Sequence, residues 1–390
     1  MIRLILLTDF TELYAYELLR GILHYAKEHQ EPWVVSRMPS SLKERLGIAG
    51  VIDWALRWQA DAIIGQFNEQ DAVEEFARHG IVAIAQDYKS RFQSIPNITS
   101  DYCAAGKMAA EYFLNRGFKN FAFCGYHHVV WSEERCQGFK ERILAEGGNC
   151  SYSEYKNQQL EDLWFYDSQK LNQWLSALPL PVAIFVCDDN QGNKVSEACR
   201  IANLKLPEEV SVLGVDDDDT ICTLADPQLS SIHMNVANAG YETAKRIKEQ
   251  LEQSTPILQD IYVTHTHIVT RRSTDIFATE DKEIAKAIKY IHDNMHRLIG
   301  VDDVLQQVPL SRRLLEIRFK RITRKSIYHY IFTLKMQCFT QLLLTTDRPI
   351  NELAAEIGLA DGKNISRQFK SLHQCTPVDY RKRYKLNPFK

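Results

Sequence analysis

The stretch from Pro309 to Arg321, PLSRRLLEIRFKR, decides how the last part of this 390-residue chain folds. Pro309-Leu310 interrupts the preceding apolar segment, and Ser311 supplies the side-chain oxygen that a helix N-cap needs. Leu315 and Phe319 then fall four apart, on one face of a helix. Arg312, Arg313, Glu316, Ile317 and Lys320 fall largely away from that face. The pattern returns further along. Ile350–Ile357 predicts a short helix, Gly358 a C-cap, and 363–372 a second helix. There Ile365 and Phe369 repeat the core spacing, while Lys363, Asn364, Ser366, Arg367 and Lys370 face outward. A helix, a tight turn and a helix rich in Arg, Asn and Lys make a helix-turn-helix, so two such units are predicted.

Around these units the periodicity predicts seven helices, at 281–296, 301–308, 311–322, 326–346, 350–357, 363–372 and 377–384. Charge divides the chain at the same place. Residues 281–390 carry 21 Lys and Arg against 11 Asp and Glu, whereas the rest carries 26 against 39. A basic block behind an acidic one fits a nucleic-acid-binding module attached to a separate domain. The boundary is placed between Thr274 and Glu283, giving domains at 1–275 and 281–388.

Upstream of that boundary the pattern differs. Short apolar runs at Ile2–Leu7, Ala62–Gly65, Ile81–Ala85, Asn120–Cys124, Val182–Cys187 and Val210–Val215 alternate with amphipathic stretches. The latter include Ala15–Glu28, Asp71–His79, Ala104–Arg116 and Gly192–Ala202. Continuous apolar strands between helices predict a parallel sheet covered on both faces. In such sheets ligands bind beyond the carboxyl ends of the strands. The residues there are polar and aromatic: Asp9-Phe10, Gln66-Phe67, Gln86-Asp87-Tyr88, Asp188-Asp189-Asn190 and Asp216 to Asp219. Carboxylates and amides beside aromatic rings suit a polyhydroxylated ligand. An Asp at a strand end also commonly caps the next helix, so each position has a structural alternative.

Asp101–Gly125 (DYCAAGKMAAEYFLNRGFKNFAFCG) resembles the LacI/GalR regulators and the related periplasmic sugar-binding proteins. So do the Arg135-x-x-Gly138-Phe139 pattern, FVCDDNQG at 185–192, and VSVLGVDDDD at 210–219 followed by LSSIHMN. The resemblance implies a two-lobed α/β periplasmic-binding-protein-like domain that closes on a small sugar. It implies that Arg135 donates paired hydrogen bonds to sugar oxygens and that Asp189 accepts from sugar hydroxyls. With Asp87, Trp131 and Asp216 these make the candidate effector set. Met234 stands where that group often has a ligand-binding Gln.

The segment after the boundary resembles the AraC-family DNA-binding domain. Ser311–Lys320 matches the first recognition helix. Ile350-Asn351-Glu352-Leu353-Ala354 with Ile357-Gly358-Leu359 matches the second unit, and Phe369-Lys370 with Thr376-Pro377-x-x-Tyr380-Arg381 its end. Pro309, Lys335 and Phe339 depart from that pattern, where a small turn residue, an Arg and a small Ala are usual. The resemblance implies base contacts from Arg313, Glu316, Ile317, Lys363, Asn364, Ser366 and Arg367. Arg312, Lys320 and Lys370 are expected on phosphates. Together the two resemblances imply a sugar-responsive regulator of a carbohydrate operon, a pentose such as xylose being the expected effector. Its implied partners are an operator duplex, a second copy of the chain and, for an activator, RNA polymerase.

Other classes find less support. No apolar run reaches the roughly 18 residues of a membrane span, and MIRLILLTDF reads as a buried strand rather than a signal peptide. Nine singly spaced cysteines suggest reduced thiols in a cytoplasmic protein. No Gly-x-Ser-x-Gly, Gly-x-Gly-x-x-Gly or Walker motif is present. Neither a metal nor a cofactor is expected, and adjacent carboxylates at 216–219 rarely converge on one centre. A sugar-modifying enzyme, or a sensor acting only through protein contacts, is the alternative.

Overall fold

The computed structural model describes residues 1–10, 12–147, 150–157, 168–253, 257–279, 281–295, 297–358, 362–373 and 375–384. A first lobe is built from β1 (Ile2–Leu7), α1 (Leu13–Glu28), β2 (Trp33–Met38), α2 (Ser40–Trp58), β3 (Ala62–Gly65), α3 (Glu74–Arg78), β4 (Val82–Gln86) and β5 (Asn97–Ser100). The chain crosses on α4 (Tyr102–Leu114) into a second lobe. That lobe holds β6 (Asn120–Tyr126), α5 (Val130–Ala145), β7 (Ser151–Asn157), α6 (Ser168–Ser176), β8 (Val182–Val186), α7 (Asp189–Ile201), β9 (Val210–Asp216), α8 (Asp219–Leu224) and β10 (Ser230–Met234). It returns on α9 (Val236–Glu252) to place β11 (Ile261–Val263) in the first sheet, then crosses again to place β12 (His265–Val269) in the second.

The two sheets run β11-β5-β4-β3-β1-β2 and β12-β10-β9-β8-β6-β7. β12 runs antiparallel to β10, and the other paired strands are parallel. Each sheet reverses direction beside its first strand, the arrangement that opens a crevice at the strands' carboxyl ends. Glycines let helices meet at two seams, α1 with α9 and α4 with α5. A Cβ on Gly21 of α1 would lie 1.8 Å from the Ala237 oxygen of α9, and one on Gly138 of α5 would lie 2.0 Å from the Cys103 oxygen of α4. The second of these explains the glycine in the Arg-x-x-Gly-Phe pattern.

Beyond the second sheet a 3₁₀ turn (Arg272–Thr274) leads to an all-α domain: α10 (Lys282–Asp293), α11 (Val301–Leu305), α12 (Arg312–Thr323), α13 (Ile327–Thr345), α14 (Ile350–Glu356), α15 (Gly362–His373) and α16 (Pro377–Tyr384). The helix α13 is its spine. Ile327, Tyr330, Ile331 and Leu334 belong to the core of the first helix-turn-helix unit, whereas Met336, Phe339 and Leu343 belong to that of the second. Phe339 is fully buried, its ring 5.7 Å from that of Phe369 in an edge-to-face pair. The unusual phenylalanine is thus accommodated by aromatic packing.

Lys335 also departs from the expected Arg, and its role is visible. Its ammonium, 3% exposed, donates to the Arg297 oxygen at 2.6 Å and the Gly358 oxygen at 3.1 Å. A Cβ at Gly358, whose φ is +65°, would lie 2.8 Å from Arg297 backbone atoms, so glycine permits the approach.

Two expectations about elements need correction. The helix expected at Asp71–His79 contracts to Glu74–Arg78, because the Asp71 carboxylate accepts from Lys43 Nζ at 3.0 Å and Asn68 N at 2.7 Å. The helices α2, α5, α6, α8 and α9 lie outside the amphipathic stretches given above, and the strands β2, β5, β7, β10 and β11 lie outside the apolar runs. β2 and β7 lie at the sheet edges, where one flank needs no apolar cover.

Candidate functional site

The loops after β1, β3, β4, β6, β8 and β9 enclose a cavity of about 770 Å³ between the lobes. Asp87, Trp131, Arg135, Asp189 and Asp216 all reach its wall. Arg135 is 4% exposed and its guanidinium lies 5.3 Å from the ring centres of both Tyr102 and Trp131. One Nη donates to the Cys187 carbonyl, and the other lies 3.6 Å from Asp216 Oδ1. One arm of the fork thus donates to the protein and the other pairs with Asp216, while its buried Nε has no hydrogen-bond partner among the described residues.

Asp189 departs further from expectation. Its Oδ1 accepts from Ser231 Oγ at 2.6 Å and its Oδ2 from Asp218 N at 2.8 Å. Asp189 thereby fastens the loop after β9 to β10, and Oδ1, with one donor, keeps room to accept another. Asp87 differs again. Oδ2 accepts from Thr99 Oγ1 at 2.6 Å and Arg91 Nε at 2.9 Å, but the buried Oδ1 has no hydrogen-bond partner among the described residues. Burial pushes the Asp87 carboxyl above the usual carboxylate range despite those donors. Arg91 continues across the cleft to Glu134 of α5, with nitrogen–oxygen distances of 2.6 and 2.9 Å, and so ties the lobes together.

The aspartate run divides its work. Asp216, held at a φ of 101°, faces Arg135. Asp217 pairs with Arg271 at 2.8 Å and His233 at 3.2 Å, and Asp218 caps α8. The Asp219 side chain is 93% exposed. Among the described residues no group of three or more His, Cys, Asp or Glu could hold a metal ion.

The strand-end rule missed Glu12, Tyr14 and Tyr102, which also line the cavity. Glu12 and Tyr14 lie in and just after the loop that Asp9-Phe10 had flagged, so the signal was the loop rather than the residue. The Tyr14 hydroxyl is buried without a hydrogen-bond partner among the described residues. Met234 lines the same wall, 4% exposed, and presents a thioether where an amide was the usual expectation.

In the helical domain, Ser311 caps α12 by accepting from Leu314 N at 3.4 Å. Leu315 and Phe319 are fully buried, and Arg312, Arg313, Glu316, Ile317 and Lys320 are exposed. Arg312 is tied to Asp302 at 2.9 Å and to Glu316 at 3.3 Å, which links two of the expected contact residues to each other. In α15, Ile365 and Phe369 are buried, Arg367 and Lys370 exposed, and Ser366 half-buried. The side chains of Lys363 and Asn364 lie outside the described residues. Two helices thus present basic, outward faces on separate cores joined by α13, a geometry that fits recognition helices in DNA grooves.

Fold and surfaces agree with the comparisons. Residues 110–274 match the periplasmic binding protein-like domain family, and residues 304–383 match a helix-turn-helix domain family. The chain is a DNA-binding transcription regulator that joins a periplasmic binding protein-like effector domain to a helix-turn-helix domain, and it resembles AraC-type regulators in the second and LacI/GalR-like regulators in the first. Among individual proteins, it is similar to the xylose operon regulatory protein of Escherichia coli (strain K12), 26% identical and covering 97% of this chain and 96% of that one. The Haemophilus influenzae protein of the same name is 28% identical, covering 97% and 98%. A solved structure of the xylose-binding transcription activator xylR shares 25% identity at a TM-score of 0.59, covering 98% of each chain. Among the described residues no helix is long and apolar enough to cross a membrane.

Proposed function

We propose that the protein is a cytoplasmic, sugar-responsive activator of a carbohydrate-utilisation operon. A sugar of pentose or hexose size would occupy the inter-lobe cavity, with xylose at the head of the panel because the full-length relatives are xylose operon regulators. One observation carries this reading. A single chain joins a polar cavity walled by Trp131, Tyr88 and Tyr102 to two outward basic helices. Hydroxyls would meet the unpartnered Asp87 Oδ1, Tyr14 hydroxyl and Arg135 Nε, and the ring's C–H face would stack on an aromatic side chain.

The chain would act as a homodimer, with RNA polymerase as its downstream partner. A dimer presents four helix-turn-helix units and raises the effective concentration of each on the operator. The experiment is a thermal-shift panel of pentoses and hexoses, paired with operator binding at several salt concentrations. A stabilising sugar and a steep fall of DNA affinity with salt are expected. Light scattering should show a dimer at micromolar concentration. Arg135→Ala should abolish sugar-induced stabilisation, and an unchanged shift in that variant would remove Arg135 from the site.

A further inference from the structure

The cavity is acidic beyond what hydroxyl recognition asks for. Asp9, Glu12 and Asp87 enter from the first lobe, and Asp188 and Asp216 from the second. Arg91 offsets Asp87 at 2.9 Å and Arg135 faces Asp216 at 3.6 Å, but the carboxylates on the wall outnumber its cations. Lys43 is turned away, its ammonium bonded to the Gln66 carbonyl and to Asp71. Lys89 lies 5.7 Å from the Tyr88 ring centre, and Arg135 is held by the Cys187 carbonyl and Asp216. Glu12 opens to the cavity, is crowded by its walls, and has no hydrogen-bond partner among the described residues. Asp87, 3% exposed, lines the same space, and its Oδ1 has no hydrogen-bond partner among the described residues. The site is thus built, polar and short of positive charge.

We infer that the effector is a sugar carrying a protonated amine, its ammonium seated between Glu12 and Asp216 and its hydroxyls turned toward Asp87 and Tyr14. This rests on the reading of the cavity as a sugar site and replaces a neutral pentose with an amine-bearing ring of similar size. Two observations about protonation agree with it. Desolvation by the surrounding cavity walls, with the neighbouring Asp188, Asp216 and Asp9, pushes the Glu12 carboxyl up to about 8, against the opposing pull of Arg135. Burial raises Asp216 to about 6, again against Arg135. A cation placed between them supplies the missing counter-charge and favours both ionised forms.

The experiment measures binding of paired probes to the full chain by calorimetry near pH 7. The pairs are 2-amino-2-deoxy-D-xylose with D-xylose and D-glucosamine with D-glucose. N-acetyl-D-glucosamine, its amine masked, serves as a further control. The expected result is an amine-bearing probe bound at least about tenfold tighter than its neutral counterpart. Glu12→Gln and Asp216→Asn should each shrink that ratio toward one, and ligand-free melting curves report whether either variant is folded. A neutral sugar that binds as tightly as its amine overturns the inference and leaves the sugar-sensor reading intact. A preference that survives both substitutions overturns the seat between Glu12 and Asp216. Binding of neither kind, with operator binding intact, overturns the sugar reading as well.

Discussion

The Asp275 carboxylate and the His292 imidazole stand 2.5 Å apart where the second sheet's exit segment meets α10. Behind Asp275, Thr274 Oγ1 lies 2.7 Å from Ser230 Oγ and 2.6 Å from the Tyr112 hydroxyl. Ahead of it, His292 Nε2 lies 2.9 Å from the Tyr330 hydroxyl, and the Tyr330 ring packs 5.4 Å from that of Phe319 in α12. The connecting residues alternate between the two bodies. Ile276 and Ala278 pack on the effector-domain core, whereas Phe277 belongs to the core of the first helix-turn-helix unit. A segment fastened to both sides can carry a change of lobe geometry to a recognition helix.

Asp275→Asn tests that fastening. The residue is half-buried, and the His292 charge and hydrogen bond hold its carboxyl below its usual range although burial opposes this. Removing the charge should lower stability by about 1–2 kcal/mol, less than a fully buried pair would give. It should also speed proteolysis between 275 and 281. Wild-type cleavage rates and an unchanged melting curve would show that the pair does not hold the junction.

Lys335 supports a second prediction. Lys335→Met leaves the Arg297 and Gly358 carbonyls without their buried donor, a loss of about 2–4 kcal/mol. Lys335→Arg restores a donor and should lie within about 1.5 kcal/mol of the wild type. Urea denaturation followed through the helical signal distinguishes the two. Equal stability of Met and Arg variants would show that the carbonyls find other partners.

The cleft carboxyls predict a pH dependence. Glu12 and Asp216 are raised above their ordinary values, to about 8 and about 6. Groups raised in this way favour the folded state below their ordinary values, and that contribution is lost as pH rises through the raised ones. The ligand-free protein should therefore melt lower at pH 8.5 than at pH 5.5. Glu12→Gln should flatten the upper part of that slope. A melting curve whose pH dependence matches the wild type would show that Glu12 is not the titrating group.

Much of this was legible in the chain because period and capping act locally. Ser311, Leu315, Phe319, Ile365 and Phe369 locate both recognition helices within a residue or so of their observed ends. Strand runs such as Ile2–Leu7 and Ala62–Gly65 are recovered in full, since strands covered on both faces must be apolar throughout. What escaped depends on partners distant in sequence. Nothing near Asp189 announces that Ser231 and the Asp218 amide will take its oxygens. Glu12 looks like any loop acid until Asp188 and Asp216 arrive from the other lobe. β7, SYSEYKN, has the composition of a surface loop and forms a strand only because β6 offers it an edge.

The last prediction concerns how one chain reads DNA. α13, 19 residues long, is shared by the two units, and their recognition helices are expected to enter successive major grooves. Those grooves recur on one face of the duplex roughly every 34 Å, or about ten base pairs. Arg313 is exposed on α12, and its neighbour Arg312 is engaged by Asp302 and Glu316. Arg313 is therefore the better candidate for guanine O6 and N7, with exposed Ile317 placed to meet a thymine methyl. Arg367 is the corresponding candidate on α15. Arg313→Ala should relax base preference in one half of the operator and Arg367→Ala in the other, each by about 1–3 kcal/mol of discrimination. Lys370→Ala should instead weaken all sequences alike and reduce the salt slope by about one. Binding to a library of operator variants at two salt concentrations separates these outcomes. If both arginine variants lose affinity equally for operator and random duplex, the two side chains hold phosphates and the bases are read by other residues of the same helices.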